Sequence, residues 1–470
     1  MKYLVSFWCL VLSLFLAMPA LASSDTEELK RMLEELKREV QQLKQENQKL
    51  RSEVEQLKGA PVAAAPAKHS FMSKGAYGST PSGIDFYGFF KIDAVWQDSK
   101  AVGDNYVLWV LPGTSQNDGD NNFTLNYRHS RFGFDFSKPT EKFRVFGKME
   151  MDFYTRVDQV NGGSYAWNDV HSPVRARRVF AGVEWGTWQL LAGLDWLTIS
   201  QLYPHLSNFP SGSFMGNPGF RMTQVRLTKI HKIDDNSRLK IQVAAEQPYS
   251  FPTSTIGPYD DDPANDAGFP GIEARVAYEG KLNGKPLMFA LWGHYSQEEY
   301  DISTGEKNVD SYSLGLEYKI PVPLGVKAFI LGELWMGRNF DGYYVASVNQ
   351  GTRFRYNDGT FDTSAANGLN NVVDVDEIDA VGGWIELEVF WTPKFVTHLG
   401  YGIDNPKNSD LDGVQKARLQ QQMFYANFLY RLTKEFAVGA EYMYIETDYR
   451  QSVGGDGELN RFSGSLYYFF

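Results

Sequence analysis

The sequence predicts an all-β protein, a transmembrane antiparallel β-barrel of about sixteen strands preceded by an N-terminal α-helical coiled coil. Three observations carry this expectation. Beyond Gly83, apolar and polar residues alternate with a period of two in segment after segment. The gaps between those segments are alternately short and long. Between Leu29 and Leu57 the apolar residues instead recur every three or four positions.

The chain starts with Lys2, an apolar run from Leu4 to Ala17, and Ala20-Leu21-Ala22. A charged start, an apolar core too short for a transmembrane helix and a small-x-small site predict a cleaved secretory signal over 1–22. The one cysteine, Cys9, lies inside that run, so the mature chain has neither disulfides nor a thiolate nucleophile.

Residues 23–58 carry the heptad seam. Leu33, Val40, Asn47 and Val54 fall at a positions, and Leu29, Leu36, Leu43, Leu50 and Leu57 at d positions. Glu39, Glu46 and Glu53 at g precede Lys44, Arg51 and Lys58 at e by five residues, a pairing that parallel chains in register satisfy. The segment therefore predicts a parallel homo-oligomer, with a rod of roughly 45 Å at 1.5 Å per residue. Residues 59–83, rich in Ala, Pro, Gly and Ser, read as a linker.

The barrel occupies 84–470. Phe86, Phe90 and Ile92 alternate with Asp85, Tyr87, Lys91 and Asp93; Phe132, Phe134 and Phe136 alternate with Arg131, Gly133 and Asp135. Phe143, Val145, Met149, Met151 and Phe153 alternate with Arg144, Lys148, Glu150 and Asp152. One lipid face and one wet face require that period. Sixteen such segments centre near 90, 131, 148, 180, 192, 226, 242, 276, 291, 315, 331, 386, 399, 425, 441 and 465. Tight turns are expected at Pro139-Thr140-Glu141, Gly186-Thr187, Pro321-Val322-Pro323, Thr392-Pro393-Lys394 and Thr433-Lys434-Glu435. Long loops are expected at 97–123, 197–220, 247–270 and 338–377. An even strand count returns both termini to one rim, and closure leaves no unpaired backbone in lipid. Aromatic residues make up 15% of the chain, which suits the girdles of such a barrel. With 46 Lys+Arg against 57 Asp+Glu and a formal charge of -11, a nucleic-acid partner is excluded.

In the last segment Phe462, Gly464, Leu466, Tyr468 and Phe470 share one face, and the chain ends on Phe470. That ending resembles the address read by the outer-membrane barrel assembly machinery. Asp85-Phe86-Tyr87-Gly88, Arg131-Phe132-Gly133-Phe134, Arg177-Arg178-Val179-Phe180-Ala181-Gly182 and Leu191-Ala192-Gly193-Leu194-Asp195-Trp196 look like motifs of trimeric porins. With the signal, the coiled coil and the Ala/Pro linker, the layout is similar to the dicarboxylate-porin-like (DcaP-like) family. The resemblance implies a bacterial outer-membrane location with a periplasmic coiled coil, contact with lipid and lipopolysaccharide, and passive transport of small hydrophilic solutes. It also implies a trimer, although Val at a, Leu at d and Asn47 lean toward two strands; a barrel interface would override so short a helix.

The resemblance places Arg131 and Arg177 in the pore as part of a basic ladder. Arg175 shares the parity of Arg177, and an unbroken strand turns either Arg177 or Arg178 inward, not both. Lys91, Arg144 and Lys148 lie on polar faces. The loop after Trp196, which includes Tyr203 and His205, corresponds to the constriction loop of general porins. It lacks their acidic stretch, because no Asp or Glu occurs between Asp195 and Asp234. A basic ladder without an acidic pole concentrates anions, so small acidic solutes of the dicarboxylate type are expected. The alternative is that the arginines pair with wall carboxylates such as Asp93, Asp135, Glu150 and Asp152, giving a nearly unselective pore.

Other readings carry less. Asp260-Asp261-Asp262 and Asp374, Asp376, Glu377 and Asp379 lack EF-hand spacing. The seven histidines show no metal spacing, so no metal or cofactor is expected. No nucleophile, base and oxyanion site assemble, which speaks against a barrel enzyme. An envelope tether through the coiled coil and a phosphate-selective porin remain as alternatives.

Overall fold

In the computed structural model the described residues are 83–470, apart from 104–106, 115–116, 155–171, 209–214, 251–262, 344–347, 366–367 and 452–454. The expected signal, the Leu29–Leu57 seam, nearly all of the linker and Asp260-Asp261-Asp262 therefore lie outside the described residues.

Each alternating segment forms a strand. β1 is Gly83–Ser99; β2 runs as Asp118–Asn126 and, after a break at 127–130, Arg131–Pro139. β3 to β8 are Arg144–Asp152, Arg175–Trp185, Trp188–Trp196, Arg221–Lys232, Arg238–Glu246 and Gly271–Leu282. β9 to β12 are Lys285–Ile302, Gly305–Pro323, Lys327–Arg338 and Asp379–Phe390. β13 to β16 are Phe395–Pro406, Arg418–Arg431, Phe436–Tyr449 and Gly457–Phe469. Every neighbour pair is antiparallel, and β1 closes the sheet on β16 from Phe89↔Phe469 to Gln97↔Arg461. The barrel has 16 strands, and each of the sixteen expected centres falls within one of them.

The two faces separate as the period requires. Phe86 and Ile92 are 55% and 53% exposed on the outside, while Lys91 and Asp93 between and beyond them are 1% and 0% exposed inside. Leu291, Leu314, Leu334 and Leu466 continue this apolar outer surface around the barrel. So large an exposed apolar belt on a closed sheet needs lipid, not water. Phe470 completes the seam: Gly88 and Phe470 exchange backbone hydrogen bonds of 3.1 Å in both directions, and the Phe470 ring lies 5.3 Å from Phe86 and 5.1 Å from Phe90.

Two expectations need correction. β10 runs through Pro321-Val322-Pro323, and the turn is Leu324-Gly325-Val326, with Gly325 at φ 75°. Proline lacks a donor, but at a rim water satisfies the ladder that it interrupts. The 338–377 segment is not an open loop. It holds a small sheet of Thr352–Tyr356, Phe361–Asp362 and Val372–Glu377, packed under the tip of the β9–β10 hairpin through Tyr300, Ile302, Val309, Phe354 and Val375. Of the acids singled out near its end, Asp374 pairs with Lys307 and Arg355 and Asp376 with Arg353, while Asp379, at the start of β12, pairs with Arg338 and Lys407.

Candidate pore constriction

After Trp196 the chain turns into the barrel instead of leaving it. Leu197, Ile199, Leu206 and Met215 are all buried, which gives the 197–220 loop an apolar reason to stay inside. A buried loop must still satisfy its backbone. Here acids of the far wall do so. The Thr198 N–H donates to Glu273 of β8 at 2.6 Å, Leu202 N–H to Glu317 of β10 at 2.5 Å, and His205 N–H to Glu386 of β12 at 2.7 Å. Ser207 and Asn208 N–H donate to the two oxygens of Glu441 on β15 at 2.6 and 2.8 Å, and Gly216 N–H to Asp404 of β13 at 3.0 Å. The Ser200 hydroxyl donates to Glu333 of β11 at 2.8 Å.

Close approach is built in on both sides. Gly216 has φ 72°, and a Cβ there would come within 2.0 Å of the Gly383 carbonyl oxygen on β12. A Cβ on Gly402 of β13 would come within 2.3 Å of the Met215 carbonyl oxygen. The loop therefore lies directly on the wall at these glycines.

Strands β1 to β6 form the basic side. Lys91 is fully buried and spent on structure: its ammonium lies 2.9 Å from Asp93 and 3.0 Å from His129, and it donates to the Ser207 carbonyl of the loop. Arg177 bridges Glu150 at 3.0 Å and Asp152 at 2.6 Å. Arg175 grips Asp152 at 2.8 Å, Lys148 pairs with Asp135, and Arg178 holds Asp195 at 2.7 Å. Arg131 is looser, 3.8 Å from Glu150. Arg144 sits at the short-turn end of β3, paired with Glu184, away from the loop. The wall carboxylates named in the sequence, Asp93, Asp135, Glu150 and Asp152, all have basic partners.

Arg177 and Arg178 both point inward, correcting the either-or expectation. The β3–β4 register shifts between Glu150↔Arg178 and Met151↔Ala176, so Arg177 is the extra residue of a bulge. A bulge resets the alternation, and two successive side chains share one face.

Tyr203 is not a lumen-facing group. Its ring is buried edge-on against Trp196, with centroids 4.7 Å apart, and seals the loop to β5. His205 keeps partial access, with 12% of its side chain exposed, between Glu386 and the ring of His398. Arg221, at the start of β6, was not singled out from the sequence. It stacks 4.6 Å over Trp196, is partly exposed and makes no ion pair among the described residues. Arg226 of β6, paired with Asp195 at 2.8 Å, was also missed. Strand parity could have placed Arg226 inward, as it could the anchoring acids, but Arg221 has the opposite parity at the first position of the strand and carries no such signal.

Comparison with known proteins bears on the fold. No protein-family model matches the chain, and no curated protein matches it. Among solved structures, the outer membrane channel DcaP of Acinetobacter baumannii superposes with a TM-score of 0.61 at 18% identity, over 84% of this chain and 100% of that one. An anion-selective porin from Comamonas acidovorans gives a TM-score of 0.49 at 14% identity, over 83% of this chain and 100% of its own. A loop-deletion form of OmpT, an outer membrane protein of Vibrio cholerae, gives 0.48 at 14%, over 83% and 99%. The chain thus shares the fold of the DcaP channel.

Proposed function

We propose that the chain is a passive bacterial outer-membrane porin for small hydrophilic solutes, with a preference for anions of the dicarboxylate type. One observation carries this reading: the acids of the far wall are turned onto the backbone of the 197–220 loop, while bases of the near wall stay partly exposed in the lumen. Arg131, Lys148, Arg175 and Arg221 are those bases. The inward side chains of β1 to β6 named above comprise eight bases (Lys91, Arg131, Lys148, Arg175, Arg177, Arg178, Arg221 and Arg226) and five acids (Asp93, Asp135, Glu150, Asp152 and Asp195), an excess of three positive charges. In a narrow lumen of low dielectric such an excess concentrates anions.

A nearly unselective pore is the second reading, favoured by the carboxylate partners of Lys91, Lys148, Arg175, Arg177 and Arg178. The oligomer, in our reading, is a trimer joined through the barrels and the Leu29–Leu57 seam. Phe470 serves as the assembly signal, and the coiled coil hangs in the periplasm. Planar-bilayer recording under a salt gradient tests both pore readings. Conductance steps in threes with an anion-favouring reversal potential, moved toward zero by Arg131→Gln with Arg221→Gln, support the first. A reversal potential near zero in the native protein supports the second. A silent barrel sinks both and leaves the envelope tether.

A further inference from the structure

Two of the histidines that lie far apart in the sequence meet in space. His205 of the constriction loop and His398 of β13 stack with ring centroids 4.8 Å apart at 16°. Each Nε2 lies 3.8 Å from the same carboxylate oxygen, Oε1 of Glu388 on β12. The three ligand atoms lie within 4.8 Å of one another.

The protons can be placed from the surrounding hydrogen bonds. The Asn427 amide nitrogen donates to the His205 carbonyl at 2.7 Å and to Glu441 at 2.9 Å. Its oxygen therefore faces His398 Nδ1 at 2.7 Å, so that nitrogen carries the hydrogen. In the neutral ring, Nε2 is then a lone pair aimed at another acceptor. His205 repeats the pattern, with Nδ1 held at 2.5 Å by Glu386. Two imidazoles whose outer nitrogens are fixed by a carboxylate and an amide, converging on one carboxylate oxygen, form the ligand set and supporting shell of a transition-metal centre.

We propose that His205, Glu388 and His398 bind a divalent transition-metal ion of the zinc or cobalt type. Bonds of about 2.0–2.2 Å put ligand atoms roughly 3–4 Å apart, so both 3.8 Å spacings fit, and the parallel rings need only tilt toward each other. The second oxygen of Glu388 is held by Lys319 at 2.9 Å, which leaves Oε1 for the ion. The partly exposed edge of His205 provides an approach from the lumen. An ion here adds a fastening of the loop to β12 and β13 beyond the hydrogen bonds and apolar packing already there, and adds positive charge at the narrowing. This inference stands on the side-chain geometry and is independent of whether the channel prefers anions.

The test is titration of full-length, folded protein in detergent with Co2+, read by visible d–d absorption, and with Zn2+, read by calorimetry. His398→Gln and His205→Ala are compared with His231→Gln, which removes an exposed rim histidine. The expected result is one saturable ion per chain, unchanged in His231→Gln and at least about tenfold weaker in both site variants. His205→Ala changes a loop residue, so its barrel tests the site even if His398→Gln fails to fold. Absence of saturable binding overturns the proposal. Binding that survives both site variants overturns it as an adventitious surface site.

Discussion

If wall carboxylates hold the constriction loop by its backbone, neutralising one of them must loosen a defined stretch of that loop. Glu441 is the clearest case. It is buried on β15 and accepts hydrogen bonds from the Ser207 N–H at 2.6 Å, the Asn208 N–H at 2.8 Å and the Asn427 amide at 2.9 Å. Glu441→Gln keeps the shape but removes the charge and replaces one acceptor oxygen with a donor. Charge-assisted bonds contribute about 1.5–3 kcal/mol each and neutral ones about half that. One buried donor is also left facing an NH2 group, which costs about 1–3 kcal/mol before the loop relaxes. The local loss is therefore about 2–4 kcal/mol, which raises the population of the detached loop roughly 30- to 1000-fold. Hydrogen exchange at Ser207 and Asn208, read by mass spectrometry, should accelerate by that factor while the strands keep their protection. Single-channel currents should show excursions absent from the native protein. Exchange within about twofold of native would refute the reasoning, because packing of Leu206 and Met215 alone would then suffice to hold the loop.

Other predictions follow from the same geometry. Arg177→Met leaves Glu150 and Asp152 short of a partner at a buried site and should lower barrel stability by about 3 kcal/mol in urea unfolding, the low end for a broken buried pair because Arg175 and Tyr87 still contact those acids. Arg144→Gln, which breaks the half-exposed pair with Glu184, should cost under about 1 kcal/mol in the same assay. Gly402→Leu forces the loop away from β13 at Met215 and should change the unit conductance with little change in the far-UV spectrum. Removing Phe470 strips two backbone bonds from Gly88 and two ring contacts from β1, so refolding into detergent should be slower and less complete than for the full chain.

The strands were legible because a membrane barrel writes its two environments into alternate residues, and all sixteen centres survive in the structure. What failed was local. Parity cannot register a bulge, so Arg177 and Arg178 were read as opposed when both face inward. The Pro321–Pro323 stretch looked like a turn because its composition is that of a turn, yet at a rim two missing donors are tolerated. The site was legible by halves. Glu273, Glu317, Glu386 and Glu441 occupy inward positions that alternation identifies, but what they bind in the loop is backbone, and an amide has no sequence signature. His398 and Glu388 were invisible as ligands because β12 and β13 bring them to a loop that departs from β5.

The absence of acids between Asp195 and Asp234 therefore has a different cause from the one that the sequence suggests. Read alone, it is an acidic pole missing from a constriction. In the structure, that segment lies against Glu273, Glu317, Glu333, Glu386, Asp404 and Glu441, whose oxygens need donors. An Asp or Glu on the loop would meet one of these carboxylates in a low-dielectric interior, where like charges repel strongly. The loop lacks acids because the wall supplies them. The same pairing decides the character of the lumen, since a carboxylate that accepts backbone N–H groups at under 3 Å is screened from a passing solute. On the proposed reading, selectivity then falls to the partly exposed bases, Arg131, Lys148, Arg175 and Arg221. On that same reading, the contacts that fasten the loop to the wall's acids are also the ones that tip the lumen toward anions.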